Sequence, residues 1–80
     1  MYYVYLLKDN VHKIYIGYTE DLKRRIKEHV AGYTFTTSKM DNPKLFYYEA
    51  YTDELAAKTR EKKLKQFGSS YTGLIKRLGP

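Results

Sequence analysis

The sequence predicts an α+β fold, a small three-stranded β-sheet flanked by helices, with the element order β-β-α-β-α-α. Three segments are rich in aromatic and β-branched residues, which is typical of strands. Three others carry apolar residues three or four positions apart between capping residues and glycines, which is typical of helices. The chain has 80 residues, enough for one small hydrophobic core. We therefore expect a single domain over residues 1–80.

The first two predicted strands span residues 2–7 and 13–18, with the sequences YYVYLL and KIYIGY. Residues 8–12 between them include an Asp-Asn pair, and both residue types favour turns. A β-hairpin is the expected result, with His12 exposed in its turn.

The expected register of this hairpin follows from a turn centred near Asn10. Tyr5 then lies opposite Tyr15, and Tyr3 lies opposite Gly17, so the two phenols share one face of the sheet. Gly17 has no side chain and is expected to leave space beside the phenols for another molecule. An aromatic pair that merely stabilises the hairpin is the alternative explanation.

The first helix is predicted from a capping residue, Thr19, followed by two acids where the helix dipole favours negative charge. Leu22, Ile26 and Val30 recur every four residues and form one apolar stripe. Gly32 follows at the position where a helix would stop. This pattern predicts a helix of about three turns.

The remaining elements follow from the same signals. Residues 33–43 are polar and rich in turn formers, so a loop is predicted, and KLFYYEAY at 44–51 predicts the third strand. Thr52 or Asp53 is then expected to cap a second helix.

The second helix is predicted to run to about Phe67, and Gly68 is expected to end it. Ser69 or Ser70 is a suitable cap for a short third helix through Leu78. These two helices complete the predicted order.

Composition limits the classes of function. Hydrophobic residues make up 42% of the chain, but no run approaches the roughly 18 apolar residues that a membrane-spanning helix needs. With no cysteine, a disulfide framework and a thiolate metal site are excluded. The start MYYVYLL lacks the charged, apolar and small-residue regions of a secretory signal, so we expect a cytoplasmic protein without membrane association.

The charge of the chain favours a polyanionic partner. The formal net charge is +6, ten residues are tyrosine, and residues 55–80 contain seven Lys or Arg against one acid, Glu61. Basic side chains release counterions from phosphates, and aromatic rings stack on bases. A solvated helix face that keeps the protein soluble would have the same composition, so both explanations stay open.

Arg25 and His29 are the candidate functional residues of the first helix. Arg25 lies three positions after Leu22, and His29 follows four later, so both flank the buried stripe. A guanidinium there can bind a phosphate through two hydrogen bonds, whereas the simpler explanation is an arginine whose stem covers the core. Lys23 and Arg24 are expected to face outward, in a supporting role.

Glu61 is the candidate metal ligand. It lies four positions after Ala57 and three before Leu64, along the apolar stripe of the second helix. The simpler explanation is an ion pair with Lys65 one turn later. Magnesium, however, often keeps most of its water and takes only one or two protein carboxylates, so one glutamate can suffice.

These residues resemble a known pattern. YVY at 3–5, YIG at 15–17, DLKRRIKEH at 21–29 and TREKKLK at 59–65 are similar, in order and spacing, to the GIY-YIG nuclease family. The resemblance is closest to its small stand-alone members, which are related to the excision-repair nuclease. Tyr3 replaces the opening glycine of the first triplet, and the asparagine that some members use after the glutamate is absent.

The resemblance implies a role for each residue. Tyr5 and Tyr15 correspond to the tyrosines of the two triplets, Arg25 to the arginine at the scissile phosphate, and Glu61 to the ligand of a single Mg²⁺ or Mn²⁺ ion. His29 falls at a position that is histidine or tyrosine in relatives. The implied reaction is hydrolysis of a phosphodiester by water, with one tyrosine as general base. Which tyrosine acts as the base stays open.

The implied partner is nucleic acid, with DNA as the expected substrate and a repair or recombination role. A binding module that does not cleave, and an interaction domain for an acidic protein, are the alternatives; a homodimer or a guiding protein partner is left open. Tyr3 and Gly17 are expected to support the site. The expected nucleic-acid-binding residues are Lys23, Arg24, Lys39, Lys58, Lys62 and Lys65.

Overall fold

The computed structural model of the protein describes residues 1–32 and 37–79. The strands are β1 (Tyr2–Lys8), β2 (Ile14–Thr19) and β3 (Lys44–Tyr51); the helices are α1 (Leu22–Val30), α2 (Glu54–Lys65) and α3 (Ser69–Leu78). The predicted α+β class and element order are confirmed. Within the predicted loop 33–43, residues 37–39 form a short 3₁₀ turn, and 33–36 lie outside the described residues. No helix in the described part of the chain is long and apolar enough to span a membrane.

The sheet has the strand order β2-β1-β3, and β1 is antiparallel to both neighbours. Because side chains alternate along a strand, the central strand supplies residues to two layers. One face packs against α2 and α3, and the other carries α1. The buried core between the sheet and the α2–α3 layer consists of Val4, Leu6, Ile16, Ala57, Leu64 and Leu74.

The hairpin register differs from the prediction by two residues. Tyr5 pairs with Gly17, and Leu7 pairs with Tyr15, so the two tyrosines are diagonal rather than directly opposite. A shift of two residues leaves every side chain on its predicted face, because the side-chain period of a strand is two. The predicted sharing of one face by Tyr5 and Tyr15 is therefore correct, although the predicted pairing is wrong.

The carboxylate of Asp9 explains the register. It accepts hydrogen bonds from the backbone amides of Val11 (3.0 Å) and Lys13 (2.7 Å), which centres the turn on Val11 instead of Asn10. A third amide, that of Asp41, also donates to Asp9 (3.1 Å). Burial opposes the ionised form of Asp9, but these three amides outweigh it and hold its pKa below the ordinary value.

The cap of α1 is Asp21, two residues later than predicted. Its carboxylate accepts a hydrogen bond from the amide of Arg24 (3.1 Å). Thr19, the predicted cap, instead ends β2, and its hydroxyl accepts from the amide of Asp21 (3.1 Å). Thr19 therefore shapes the turn into the helix rather than capping it.

The end of α2 also differs from the prediction. Asp53, one of the two predicted caps, accepts from the amide of Ala56 (3.2 Å), and the helix ends at Lys65 rather than near Phe67. Phe67, rather than the predicted Gly68, is the residue that stops the helix, and it adopts the left-handed conformation (φ 54°). Its amide donates to the carbonyl of Leu64 (3.0 Å), and this bond closes the last turn.

α3 begins directly after this turn. Gly68 is its N-cap and makes no side-chain capping bond, so the predicted capping by Ser69 or Ser70 is wrong. Its predicted end at Leu78 is confirmed, and the next residue, Gly79, has a positive φ of 80°.

Glu49 attaches α2 to β3. Its carboxylate accepts two hydrogen bonds from the guanidinium of Arg60 (3.0 and 3.1 Å) and one from each hydroxyl of Tyr47 (2.6 Å) and Tyr51 (2.5 Å). Burial of Glu49 opposes its ionisation, but Arg60 and the two tyrosine hydroxyls outweigh this effect, so its pKa lies below the ordinary value. This contact determines how α2 is rotated against the sheet, because two nitrogens of the Arg60 guanidinium are held at once.

Glu49→Gln is expected to lower the free energy of unfolding by about 2 kcal/mol, since the amide nitrogen that replaces one oxygen leaves one nitrogen of Arg60 and one tyrosine hydroxyl without an acceptor. The depressed pKa means that the stabilisation is present above the unfolded-state pKa of a glutamate and is lost as the pH falls. Urea unfolding at neutral and acid pH measures both effects. The control is Glu54→Gln, at an exposed ion pair with Lys58, where a loss below about 1 kcal/mol is expected. Equal losses for the two variants would contradict the prediction.

Candidate active site

Three rings meet on the α1 face of the sheet. The hydroxyl of Tyr5 lies 2.6 Å from Nε2 of His29, within hydrogen-bond distance. The ring centroids of Tyr5 and Tyr15 are 6.2 Å apart, those of Tyr5 and His29 are 5.6 Å apart, and those of Tyr15 and His29 are 4.9 Å apart. The cluster of Tyr5, Tyr15 and His29 therefore joins both strands of the hairpin to the last turn of α1.

Gly17 allows Tyr5 to lie in this cluster. A Cβ atom on Gly17 would collide with the ring and hydroxyl of Tyr5. The space that the missing side chain leaves is thus filled by Tyr5, and the expectation that it would admit another molecule is wrong. Gly17 is required here for close approach of a neighbouring side chain.

Burial keeps the phenol of Tyr5 protonated. Its side chain is fully buried, and this burial is the main reason that its pKa rises to about 12. Arg25 lowers the pKa through a hydrogen bond and its positive charge, while Tyr15 raises it, and burial prevails. Tyr15, in contrast, is only half-buried. The two tyrosines therefore differ in access to solvent.

The surroundings of His29 favour its neutral form. It is buried (1% exposed), and burial together with the positive charge of Arg25 lowers its pKa below the ordinary value, although Glu28 opposes the shift. A neutral imidazole can accept a hydrogen bond from the Tyr5 hydroxyl at Nε2 or donate one to it, according to its tautomer. His29 is thus suited to hold the phenol of Tyr5 in place.

Arg25 lies at the exposed border of the cluster. Its side chain is 35% exposed, and its guanidinium forms an ion pair with Glu28 at 3.1 Å. The positive charge also acts on both tyrosines of the cluster. The carboxylate of Glu28, on the same helix, therefore binds the guanidinium at a position where a phosphate oxygen would bind.

Glu61 lies in the other layer. It belongs to α2, which packs across β1 and β2 on the face opposite Tyr5 and Tyr15. Its side chain is 21% exposed and pairs with Lys65 at 3.1 Å, so the ion pair that the sequence left as the simpler explanation is present. Residues 1–32 and 37–79 contain no group of three or more His, Asp or Glu side chains that could hold a metal ion.

The predicted basic residues are divided between the two layers. Lys23 and Arg24 are exposed on α1, whereas Lys62 is exposed on α2. Lys58, also on α2, pairs with Glu54 at 3.5 Å and lies 5.5 Å from the ring centre of Tyr18. Lys65 pairs with Glu61, and Lys39 is exposed in the 3₁₀ turn.

Tyr48 was not among the predicted site residues. It lies on the same face as the cluster, 51% exposed, with its ring centroid 6.2 Å from that of Tyr3. The alternation within KLFYYEAY indicates that either Tyr47 or Tyr48 lies on this face. The β1–β3 register resolves this choice. Tyr48 pairs with Tyr5 and therefore lies on the α1 face.

This fold, with a tyrosine of each hairpin strand packed against a helical histidine and arginine, matches one class of protein. A family model described as the GIY-YIG catalytic domain matches residues 1–73, so the chain belongs to the GIY-YIG domain family, whose members are generally nucleases. The resemblance noted in the sequence is thereby confirmed.

The relatives are UPF0213 proteins. One from Haloquadratum walsbyi is 33% identical over 67 residues, covering 82% of this chain and 75% of the relative. One from Clostridium perfringens is 36% identical over 67 residues, covering 82% and 72%. The solution NMR structure of a UPF0213 protein from Bacillus halodurans has a TM-score of 0.60 and 29% identity, covering 98% of this chain and 85% of that one.

Gly17→Ala is expected to lower the free energy of unfolding by about 2 kcal/mol, because the added methyl group meets a fully buried ring that cannot move away. The matched control is Gly73→Ala in α3, where the new Cβ would meet no atom within 4 Å apart from its chain neighbours and its own helix backbone. That helical substitution is expected to stabilise by about 0.5–1 kcal/mol. Urea unfolding of the two variants measures both signs, and a neutral Gly17→Ala would contradict the packing described for Tyr5.

The lowered pKa of His29 predicts a loss of stability on acidification. A depressed folded-state pKa means that the contribution of His29 is present above the unfolded pKa of about 6.5 and is lost as the pH falls. The free energy of unfolding between about pH 7.5 and 5.5 should therefore fall more steeply for the parent than for His29→Gln. His12→Asn, in the exposed turn, controls for loss of a histidine; equal slopes for the parent and His29→Gln would contradict the prediction.

Proposed function

We propose that this chain is a metal-dependent endonuclease-type domain that hydrolyses phosphodiester bonds in nucleic acid, with DNA as the expected substrate. The observation that carries the proposal is the packing of Tyr5, Tyr15 and His29 beside Arg25 on the fold of a nuclease family. A structure-selective role in repair or recombination is part of this proposal.

In this proposal Tyr15 activates water as its phenolate, which takes one proton from the attacking water and returns it to solvent after hydrolysis. A general base must be within hydrogen-bond reach of the proton it takes, and Tyr15 is the half-buried member of the pair. Tyr5 is fully buried with a pKa of about 12, so it is a poor candidate for contact with water. Tyr5 and His29 are positioning residues, which hold the ring of Tyr15 from one side.

Arg25 binds the scissile phosphate. Its guanidinium is already held by a carboxylate oxygen of Glu28, and a phosphate that displaces Glu28 gains hydrogen bonds without reorienting the arginine far. Positive charge next to the phosphate also stabilises the negative charge that develops during hydrolysis.

Glu61 is the residue that would hold a divalent ion, Mg²⁺ or Mn²⁺. Its carboxylate is partly exposed and paired with an exposed lysine, which fits an ion that keeps most of its own water. When bound, such an ion supplies a Lewis acid for the phosphate and lowers the pKa of bound water. Release of Lys65 frees the Glu61 oxygen for this role.

The open edge at β2 is the proposed location of the substrate. β2 is an edge strand; α2 packs on one face of it, and on the other face the ring of Tyr15 contacts His29 of α1. A phosphodiester at this edge is accessible from both layers, so Tyr15 and Arg25 of one layer and Glu61 of the other can act on the same group. The basic residues of α1 and α2 then lie along the path of one nucleic-acid strand.

A module that binds nucleic acid without cleaving it is the second candidate. The observation that favours it is the ion pair of Glu61 with Lys65 in the layer opposite the tyrosines. In that case the aromatic and basic residues bind the substrate, and Glu61 has a structural role only.

Cleavage assays separate the two functions. Single-stranded, duplex and branched DNA and RNA are incubated with Mg²⁺, Mn²⁺ or chelator, and products are resolved on denaturing gels. Tyr15→Phe is expected to reduce cleavage by about 10²–10⁴-fold, the usual contribution of a general base. Tyr5→Phe, which keeps the buried ring, is expected to have a smaller effect, and Tyr71→Phe on α3 serves as the control.

The metal role of Glu61 has a matched control in Lys65→Met, which breaks the same ion pair but keeps the carboxylate. Glu61→Gln is expected to abolish metal-dependent cleavage, whereas Lys65→Met should retain it with weaker substrate binding, because Lys65 is one of the basic residues expected to contact nucleic acid. Metal-dependent cleavage that survives Glu61→Gln would overturn the metal assignment. Salt-sensitive binding of nucleic acid without cleavage under any metal would support the second candidate, and absence of binding at low salt would overturn both.

A further inference from the structure

A groove of about 540 Å³ runs between α1 and the sheet, on the same face as the tyrosine cluster. This volume lies within the range of about 300–1,000 Å³ that small-ligand sites occupy. Its apolar lining comes from Tyr3, Leu22, Ile26, Leu45 and Tyr48. The groove therefore combines two aromatic rings with aliphatic walls beside the candidate active site.

The sheet side of the groove is open to solvent. Tyr48 is 51% exposed and Leu45 is 40% exposed. The ring of Tyr48 contacts that of Tyr3 edge to face, with 62° between their planes, so the pair presents a firm aromatic surface. Exposed aromatic rings of this kind form stacking platforms for nucleobases.

The charges along the groove differ between its ends. Lys23 and Lys27, one helical turn apart on α1, border it and are both exposed. Glu20 and Asp21 border it at the start of α1. A phosphate is attracted to the lysine end and repelled from the acidic end, whose carboxylates can accept hydrogen bonds from exocyclic amino groups of bases. The charge pattern thus suits one nucleotide, with its phosphate towards the lysines.

The residues that line the groove are sequence and pairing neighbours of the cluster residues. Tyr3 is two residues before Tyr5 on the same face of β1, and Ile26 follows Arg25 on α1. Tyr48 is the β3 partner of Tyr5. A phosphate bound at Arg25 therefore has its neighbouring nucleotide within reach of the groove.

We propose that this groove binds one unpaired nucleotide next to the bond that is cut, with its base stacked on Tyr48 and its phosphate near Lys23 and Lys27. This inference rests on the proposed function and adds to it a substrate class, nucleic acid with at least one unstacked base. A base inside an intact duplex cannot reach such a groove unless it is turned out of the helix. Single-stranded, frayed or branched nucleic acid provides it directly.

A fluorescence experiment tests the stacking. The chain contains no tryptophan, so Tyr48→Trp introduces a single indole reporter at the groove. The matched control is Phe67→Trp, at a residue 58% exposed beside the α2–α3 layer. A single-stranded oligonucleotide is expected to quench the indole fluorescence of the Tyr48→Trp variant saturably. A blunt duplex, and an oligonucleotide with an abasic residue at every position, should quench it far less. The fluorescence of the Phe67→Trp variant should change little with all three.

A second variant makes the test independent of the reporter. Tyr48→Ala is expected to weaken binding of the single strand about tenfold, the usual loss when a stacking ring is removed, and to leave duplex binding unchanged. Tyr48→Phe should bind like the parent, because it keeps the ring. Circular dichroism of each variant checks that the fold is retained.

The outcomes distinguish this inference from the proposed function. Single-strand binding by the parent that Tyr48→Ala leaves intact would overturn the groove assignment alone. Equal quenching by abasic and base-containing strands, or concentration-dependent quenching without nucleic acid that indicates a second copy in the groove, would also overturn it. Failure of the parent to bind any oligonucleotide at low salt would overturn the proposed function as well.

Discussion

The rest of the structure depends on the close packing of Tyr5 against Gly17. Tyr5 belongs to the central strand, whose alternate residues serve both layers of the fold. Its ring fits only because the paired residue has no side chain, and its hydroxyl then reaches His29 on α1. This contact attaches α1 to the sheet. His29 is the buried residue of that helix. Because Arg25 belongs to α1, the packing that orients this helix also orients Arg25.

The same burial gives the two tyrosines different properties. In a water-poor environment the neutral forms of a phenol and an imidazole are both favoured, which raises the pKa of Tyr5 and lowers that of His29. The Tyr5–His29 pair forms one side of the packing around the ring of Tyr15. The ring of Tyr15 packs against His29 and keeps access to solvent. Two residues of one type, on adjacent strands, therefore have separate roles in the proposed mechanism.

In the proposed mechanism, the two layers meet the substrate from opposite faces of the sheet. The Glu49–Arg60 contact fixes the rotation of α2, and Glu61 is the next residue on that helix. A structural ion pair and a candidate metal ligand thus occupy adjacent positions, separated by the roughly 100° turn between neighbouring helical residues. The tyrosine cluster and the open aromatic groove lie in the other layer. A substrate that contacts both layers has to lie at an edge of the sheet, which favours a flexible or unpaired strand over a rigid duplex.

The sequence by itself determined the fold class, the element order and the common face of Tyr5 and Tyr15, because hydrophobic periodicity and strand alternation are local properties. It also carried the family pattern, since the triplets and the helix residues have fixed spacings. Only the tertiary structure decided the hairpin register, because the Asp9 carboxylate accepts from the amides of Val11 and Lys13 and also from that of Asp41 in a distant segment. It likewise decided that Tyr5 fills the space at Gly17, that Tyr48 joins the α1 face and that Glu61 lies in the opposite layer. Those properties depend on contacts between residues far apart in the chain, which no local pattern contains.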